Sequence, residues 1–175
     1  TTARTEKESG RMRYSLAIVT ILLLLSACTS PVDRETAAAG STSEGDKTVS
    51  TTPIFHPSHE PRKAEAPFSD VVQVGNLYFL SGQIGMDHST RTLVEGGIEA
   101  ETRQVLENIK AVLAQHELEM GDVVKALVVL DDIEDFAAFN AIYREYLPQK
   151  PARTTFAAEA LAAGAKIEIE VIAVK

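Results

Sequence analysis

The segment 151–175, PARTTFAAEALAAGAKIEIEVIAVK, decides the fold, because two strand-like runs flank a bend rich in alanine and glycine. Alternate residues of the second run point to opposite sides of a strand: Ile167, Ile169, Val171 and Ala173 to one side, and Glu168, Glu170, Ile172 and Val174 to the other. The first set can pack under helices. The second set is partly apolar, which is unusual for a face left in water, so we expect it to meet another subunit.

Two charged residues of this segment are candidates for a binding site. Arg153 opens the first run, and Glu168 lies on the second. A guanidinium that forks onto a carboxylate and an acid on a neighbouring strand are the parts of a small site for an anionic substrate. Spacing alone favours instead a structural arginine that pairs with Glu168 or Glu170 at an interface. Glu170 itself is interpreted as a solvated or interface charge.

The upstream half of the domain begins with a predicted hairpin. Its strands are the β-rich runs 71–74 and 77–80, separated by a Gly-Asn turn. Gly82 and Gly85 are expected to end the second strand, and a short extra strand is expected at 92–94.

Two helices and a buried strand follow. Residues 98–118 carry an apolar stripe with helical spacing, and Glu101 lies off that stripe. His116 is interpreted as a residue at the end of this helix, where the dipole favours a cation. The run 123–130, VVKALVVL, suits a buried strand, and 136–147 is a second amphipathic helix after an acidic start. The order of elements predicts an α+β domain, 64–175, in which both helices pack on one face of a single mixed sheet.

The first 28 residues have the pattern of an export signal. Residues 16–25, LAIVTILLLL, are too short to span a bilayer, but they suit a signal core behind the basic Arg11 and Arg13. The following Leu-Ser-Ala-Cys resembles the bacterial lipobox, whose cysteine is lipidated; here this is Cys28. An ordinary signal with Cys28 as a bystander is the alternative. The segment from Met12 to Cys28 has all parts of a signal by itself, so residues 1–11 are expected to be an upstream extension.

Lipidation of Cys28 predicts a protein anchored to a membrane of the cell envelope. Thr29, not aspartate, follows the cysteine, and in sorting of the enterobacterial kind this implies the periplasmic face of the outer membrane. Residues 29–63 are rich in Ser, Thr, Ala, Gly and Pro without apolar periodicity, so they are predicted to form a flexible tether. His56 and His59 are interpreted as linker histidines, and no metal is expected, since a metal needs more ligands on a rigid frame.

The composition narrows the choice of partners. The formal net charge is -8, with no basic cluster in the domain, which argues against nucleic acid as a partner. The single cysteine has no partner for a disulfide or a zinc site.

Several short motifs occur in a fixed order along the domain: Ser81-Gly82-Gln83, 121–125 (GDVVK), 136–140 (FAAFN), Pro151-Ala152-Arg153 and 167–170 (IEIE). This ordered set resembles the Rid (YjgF) family of reactive-intermediate deaminases, over about residues 67–175. The resemblance implies a chorismate-mutase-like fold and a homotrimer with three clefts between subunits. It implies hydrolysis of 2-imino acids, formed from enamines such as 2-aminoacrylate, to 2-keto acids and ammonia, without a metal or an organic cofactor.

The resemblance also assigns roles to single residues. Arg153 matches the arginine that clamps the substrate carboxylate, and Glu168 matches the glutamate that orients or activates water. Ser81 and Asn140 match positions that line the cleft. Phe68 and Thr155 match substrate-contacting positions where the best-known branch has tyrosine and cysteine, so the exact substrate differs or is open.

Two other functions compete with hydrolysis. A trimeric module that binds a small carboxylate without turnover would retain Arg153, whereas a retained Glu168 favours catalysis. RNA cleavage, claimed for some relatives, is opposed by the acidic charge and the export signal.

Overall fold

The computed structural model describes residues 51–60, 63 and 65–175. The predicted signal, the start at Met12, lipidation of Cys28 and most of the tether lie outside these residues. The elements, in chain order, are β1 (Ile54–His56), β2 (Val71–Val74), β3 (Leu77–Ile84), β4 (Met86–Asp87), β5 (Thr92–Leu93), α1 (Gly97–Ala114), β6 (Val123–Leu130), α2 (Phe136–Tyr146), β7 (Ala152–Ala157) and β8 (Ile167–Val174).

Six of the strands form one mixed sheet in the order β1-β2-β3-β8-β6-β7, and β4 pairs with β5 separately. Every pair of neighbours in the large sheet is antiparallel except β6 and β7, which are parallel. The parallel pair needs a crossover, and α2 supplies it between these two strands. With α1 and α2 in one core with the sheet, the predicted α+β fold is confirmed.

Strand alternation decides which side of the sheet is covered. In β8 the side chains of Ile167, Ile169, Val171 and Ala173 are at most 1% exposed and join the core below the helices. Glu168, Glu170, Ile172 and Val174 face the other way, as the sequence predicts. We call this other side of the sheet the open face. It is partly apolar: Phe79 lies beside Ile172, and Val129 lies between Glu168 and Phe156.

The edge strand β1 lies inside the segment predicted to be a tether. β1 pairs antiparallel with β2, so the prediction that 29–63 lacks regular structure is wrong at Ile54–His56. Pro53 and Pro57 flank this strand rather than break it, because proline is tolerated at the ends of an edge strand. The interpretation of His56 as a linker residue is wrong as well. Its Nε2 lies 3.1 Å from Oε1 of Gln73, on the neighbouring strand.

The first helix is shorter than predicted. α1 ends at Ala114, and His116 lies beyond it, with its ring centroid 4.6 Å from that of His56. Burial, and then the nearby His56 and Lys175, lower the pKa of His116. The expected stabilisation of a protonated His116 by the helix dipole is therefore wrong, because these surroundings favour the neutral ring.

β3 is longer than predicted. It continues through Gly82 to Ile84, with a shift in its register against β8 between Leu80 and Gln83. Gly82 therefore does not end the strand, and an irregularity of this kind accommodates it. The short strand expected at 92–94 is present as Thr92–Leu93, paired with Met86–Asp87. None of the described helices is both long and apolar enough to cross a membrane.

Candidate functional site

Arg153 lies on the helix side of the edge strand β7. It pairs in register with the fully buried Ala126 of β6, and its side chain reaches α2. There Nη1 donates a hydrogen bond of 2.9 Å to Oδ1 of Asn140. The guanidinium carbon also lies 5.6, 5.1 and 4.7 Å from the ring centroids of three α2 residues, Phe136, Phe139 and Tyr143. We call this cluster of Arg153, Asn140 and the three rings the clamp.

The clamp stabilises a cation without neutralising it. Ring faces attract a guanidinium through their quadrupole, and the Asn140 carbonyl oxygen carries no net charge. Arg153 forms no ion pair among the described residues. The structural alternative, in which Arg153 pairs with Glu168 or Glu170 of the same chain, is therefore not what the structure shows. Most of the guanidinium N–H groups stay available, and such a fork suits a carboxylate.

Thr155 follows Arg153 by two residues, so both side chains lie on the same side of β7. Its Oγ1 is buried and has no hydrogen-bond partner among the residues that the structure describes. An unpaired buried hydroxyl is costly, and it therefore marks a position where a ligand atom or water can bind.

Glu168 lies in a pocket of about 400 Å³. We call it the acid pocket, and its lining residues are Lys63, Phe68, Ser81, Gly82, Gln83, Ile84, Met86, His88, Arg91, Ala162 and Glu168. Burial, and then the neighbouring charge of Glu170, raise the pKa of Glu168. No described cation pairs with it. A carboxylate with a raised pKa is a better base for water than an ordinary surface glutamate.

Gly82 provides the space for this carboxylate. A Cβ atom added at position 82 would overlap Oε1 of Glu168 and would lie 2.9 Å from its Cδ. From the sequence, Gly82 is a predicted strand breaker and a member of the Ser81-Gly82-Gln83 motif, without a role in packing. Its role follows from packing between β3 and β8, which the one-dimensional sequence does not show.

Ser81 and Phe68 line the same pocket. Oγ of Ser81 donates a 2.7 Å hydrogen bond to the carbonyl oxygen of Ser69, so this hydroxyl is available to a ligand as an acceptor. Phe68 is 55% exposed, a high fraction for a phenylalanine, and presents a ring at the mouth of the pocket. Both placements agree with roles in contacting a ligand rather than in nucleophilic catalysis.

Two buried polar residues of α1 position the walls of the acid pocket. Oε2 of Glu101 accepts a 2.8 Å hydrogen bond from the backbone N–H of Lys166, just before β8. Nδ2 of Asn108 donates to the carbonyl oxygens of Ile84 and Met86 at 3.1 and 2.9 Å. Glu101 is only 5% exposed, so its expected place outside the buried stripe is wrong. The gap left by Gly85 admits its side chain, since a Cβ at 85 would lie 2.6 Å from Cβ of Glu101.

Within one chain the six predicted site residues fall into two groups of three. Phe68, Ser81 and Glu168 line the acid pocket, whereas Asn140, Arg153 and Thr155 lie at the clamp. Arg153 is on the helix side of the sheet and Glu168 is on the open face, with β6 between their strands. Two strand spacings separate them laterally by about 10 Å. A single chain therefore does not bring the guanidinium and the carboxylate into one site.

Sequence reasoning missed several residues of the acid pocket, notably Gly82, Lys63, His88 and Arg91. Lys63 falls in the predicted tether, and no motif includes His88 or Arg91. The pattern around them gave no periodic signal, because β4 and β5 have only two residues each. Among the described residues no group of three potential metal ligands occurs.

Comparisons with known proteins give the class of this domain. The family model described as endoribonuclease L-PSP matches residues 58–175. A RutC family protein of Pyrococcus horikoshii is 44% identical over 114 residues, which are 65% of this chain and 90% of that protein. The 2-iminobutanoate/2-iminopropanoate deaminase of Capra hircus is 42% identical over 113 residues, or 64% of this chain and 82% of that enzyme. The crystal structure of the E. coli YjgF gene product is similar with a TM-score of 0.64 and 33% identity, covering 70% of this chain and 98% of that one.

The chain therefore belongs to the endoribonuclease L-PSP family, which is the Rid (YjgF) family that its ordered motifs resemble. Members of this family include deaminases of 2-imino acids. The match begins at residue 58, before the domain start predicted at 64.

Proposed function

We propose that this chain hydrolyses 2-imino acids to 2-keto acids and ammonia. Water adds its oxygen to the imine carbon, the C–N bond breaks, and both hydrogens of the water end on the departing nitrogen. The observation that carries the proposal is that Arg153 and Glu168 each lie in a formed site without an ion-pair partner among the residues that the structure describes. The deaminases among its relatives support the same reaction class.

The two groups have complementary tasks in this reaction. Arg153 binds the substrate carboxylate through its free N–H groups, which fixes the imine carbon in place. Glu168, once ionised, accepts a proton from the attacking water and returns it to the nitrogen as the C–N bond breaks. Burial of Glu168 supports this role, because it raises the pKa of the carboxyl group towards the working pH.

We propose that the working site forms between copies of the chain in a homotrimer. The apolar residues of the open face, with Phe79 39% and Phe156 46% exposed, support burial of this face by assembly. A closed ring of three copies would place the clamp of one chain beside the acid pocket of the next, and so produce three equal sites. Light scattering of the purified chain tests this assembly, and a monomer at working concentration would contradict it.

A coupled assay tests the activity itself. An amino-acid oxidase generates 2-iminopropanoate in situ, catalase removes the peroxide, and the release of keto acid is followed with and without the purified full chain. We expect faster release, which is lost in R153A. If release is not accelerated for several imino acids while carboxylate binding persists, the chain is instead a binding module.

Mixing two inactive variants tests the shared site. R153A lacks the clamp cation and E168Q lacks the base, so each variant alone should be inactive. Unfolding and refolding them together at equal amounts should restore about a quarter of the wild-type rate, since a random cleft has one chance in four of combining both intact groups. Refolding each variant alone is the control. No recovery in the mixture, with trimers confirmed by light scattering, would contradict a site shared between chains.

We further propose that the chain is exported and anchored by a lipid on Cys28. The apolar run 16–25 and the lipobox-like ending at Cys28 support this location. Expression of the precursor with a radiolabelled fatty acid should label the wild type but not C28A. Equal labelling of C28A would contradict the anchor, and so would a wild-type protein that does not fractionate with membranes.

A further inference from the structure

Three basic side chains line the acid pocket in addition to the residues predicted from the sequence. They are Lys63, His88 and Arg91, and the last two belong to the turn between β4 and β5. None of them takes part in the proposed hydrolysis. Their presence beside the proposed base therefore needs a separate explanation.

Glu60 holds this basic group together from behind. Its Oε1 lies 2.5 Å from Nδ1 of His88 and 3.6 Å from Nζ of Lys63, and its Oε2 lies 3.3 Å from Nη1 of Arg91. The Glu60 side chain is only 12% exposed and does not line the pocket. Glu60 therefore orients Lys63, His88 and Arg91 from behind, while their side chains line the pocket.

The two permanent cations keep most of their donors free. Nζ of Lys63 lies 3.6 Å from Glu60 and 3.7 Å from Asp70, and both distances exceed that of a hydrogen bond. Arg91 donates one long hydrogen bond, to Glu60. Burial lowers the pKa of His88, although Glu60 opposes the shift, so the permanent positive charge here is that of Lys63 and Arg91.

The available ligand chemistry follows from this arrangement. Lys63 and Arg91 present unused N–H donors and positive charge to a pocket of about 400 Å³, which is much larger than a two- or three-carbon imino acid. Glu60 and Asp70 offset the two charges in total. However, both of these acids lie outside the pocket lining, in which Glu168 is the one acid, so the part of the wall formed by Lys63 and Arg91 is basic. The group that suits such a wall is an anionic oxygen on the substrate side chain.

We propose that the Lys63–Arg91 wall binds a second carboxylate, so that the preferred substrates are 2-imino acids with an acidic side chain. This inference rests on the proposed hydrolysis and names its substrate class. Arg153 of a second copy would hold the carboxylate next to the imine, and the Lys63–Arg91 wall would hold the distal one. Glu168 would then lie beside the imine carbon between these two anchors.

The experiment compares two substrates in the full-length chain and two variants. Oxidases generate 2-iminoglutarate from glutamate and 2-iminobutanoate from 2-aminobutanoate. The variant R91Q removes the charge from the pocket and keeps a long side chain. The backbone at position 91 is left-handed, with φ 64°, and it is equally strained with Gln or Arg. The effect of the substitution is therefore confined to the side chain. The matched control is R103Q, because Arg103 is an exposed arginine that also pairs with one glutamate, Glu145, at 2.8 Å.

We expect the wild type to favour 2-iminoglutarate in kcat/KM. The preference should fall about tenfold or more in R91Q, the size of one charge-assisted hydrogen bond. It should fall mainly through KM and stay unchanged in R103Q. A wild type that favours 2-iminobutanoate, or an R91Q variant with the wild-type ratio, would overturn the substrate class and leave the proposed hydrolysis intact.

A binding measurement separates the two proposals if no turnover occurs. Isothermal titration calorimetry would compare 2-oxoglutarate with 2-oxobutanoate as ligands of the wild type, R91Q and R103Q. Tighter binding of 2-oxoglutarate that is lost only in R91Q would retain the dicarboxylate site and reject hydrolysis. Equal binding of both keto acids would reject the site.

Discussion

The clamp and the acid pocket are assembled in opposite ways. The clamp comes from α2 and the first half of β7, so its residues lie within 136–153 of the sequence. The acid pocket takes residues from segments as distant as Lys63 and Glu168. The clamp holds its charge against ring faces, whereas the pocket holds its charge in a space that one glycine leaves open. Neither Arg153 nor Glu168 forms an ion pair with any residue that the structure describes.

This difference is consistent with the proposed site shared between two copies. An arginine and a glutamate in contact would neutralise each other and leave little for a substrate. The sheet keeps them on opposite faces, with the intervening strand β6 buried at Ala126 and Val128. Assembly can then bring the clamp of one chain to the pocket of another, with the substrate between them.

Removal of the acid should have the largest effect. E168Q keeps the shape of the side chain but removes the base, so kcat should fall about 100- to 10,000-fold. E170Q is the matched control, since Glu170 lies on the same open face as Glu168 but is exposed. The keto-acid assay at neutral pH measures both, and light scattering confirms that both assemble. Similar losses in the two variants would show that charge on the open face, rather than the Glu168 base, matters.

Replacement of the guanidinium should have the next largest effect. R153K keeps a cation but loses the fork and the planar contact with the rings, so kcat/KM should fall about 10- to 100-fold. The loss should appear mostly in KM if the clamp binds substrate and transition state alike. R103K, at the exposed pair with Glu145, should behave like the wild type. An R153K variant with normal KM would mean that a point charge suffices at the clamp.

Filling the space at position 82 should have a smaller effect on both rate and stability. In G82A the new methyl group displaces the Glu168 carboxylate, which is the end of a flexible side chain beside a pocket, so the cost in stability should lie below the about 1–3 kcal/mol of overpacking in a core. We expect a lower kcat and little change in the melting temperature by calorimetry. G121A is the control, because a Cβ at that position meets no atom within 4 Å. If G82A retains the full rate, the position of Glu168 in the pocket is not the catalytic one.

The acid limb of the pH–rate profile should show the smallest effect. The rate should fall as the pH drops through the raised pKa of Glu168, since only the ionised form accepts a proton. The negative charge of Glu170 contributes to that elevation, so E170Q should move the limb to lower pH. Profiles of kcat/KM for the wild type and E170Q measure the shift. A limb that moves to higher pH in E170Q would contradict Glu168 as the titrating base.

The fold could be predicted largely from the sequence, since alternation in β8 and the apolar stripes of α1 and α2 are periodic signals. The face of Glu168 followed from the same alternation. β1 could not be predicted, because three residues between two prolines carry no pattern, and pairing with β2 alone makes them a strand.

The candidate site was predictable in part. Motif order pointed to Arg153 and Glu168, but the separation of the clamp from the acid pocket depends on strand order, which no local signal gives. The burial of Glu101 depends on a contact with Lys166, 65 positions along the chain. Sequence periodicity predicts such an acid to be a surface residue, because periodicity does not show that a distant backbone N–H group donates a hydrogen bond to it.

The close approach of Gly82 and Glu168 has a consequence for the comparison of related sequences. A side chain at 82 would displace the Glu168 carboxylate, so an acid held in this position requires glycine at 82, and the two positions should vary together among related sequences. A chain that keeps the glutamate but carries a larger residue opposite it must hold that acid elsewhere. This pair of positions therefore offers a simple criterion for sorting uncharacterised relatives into those that can seat the acid in the same place and those that cannot.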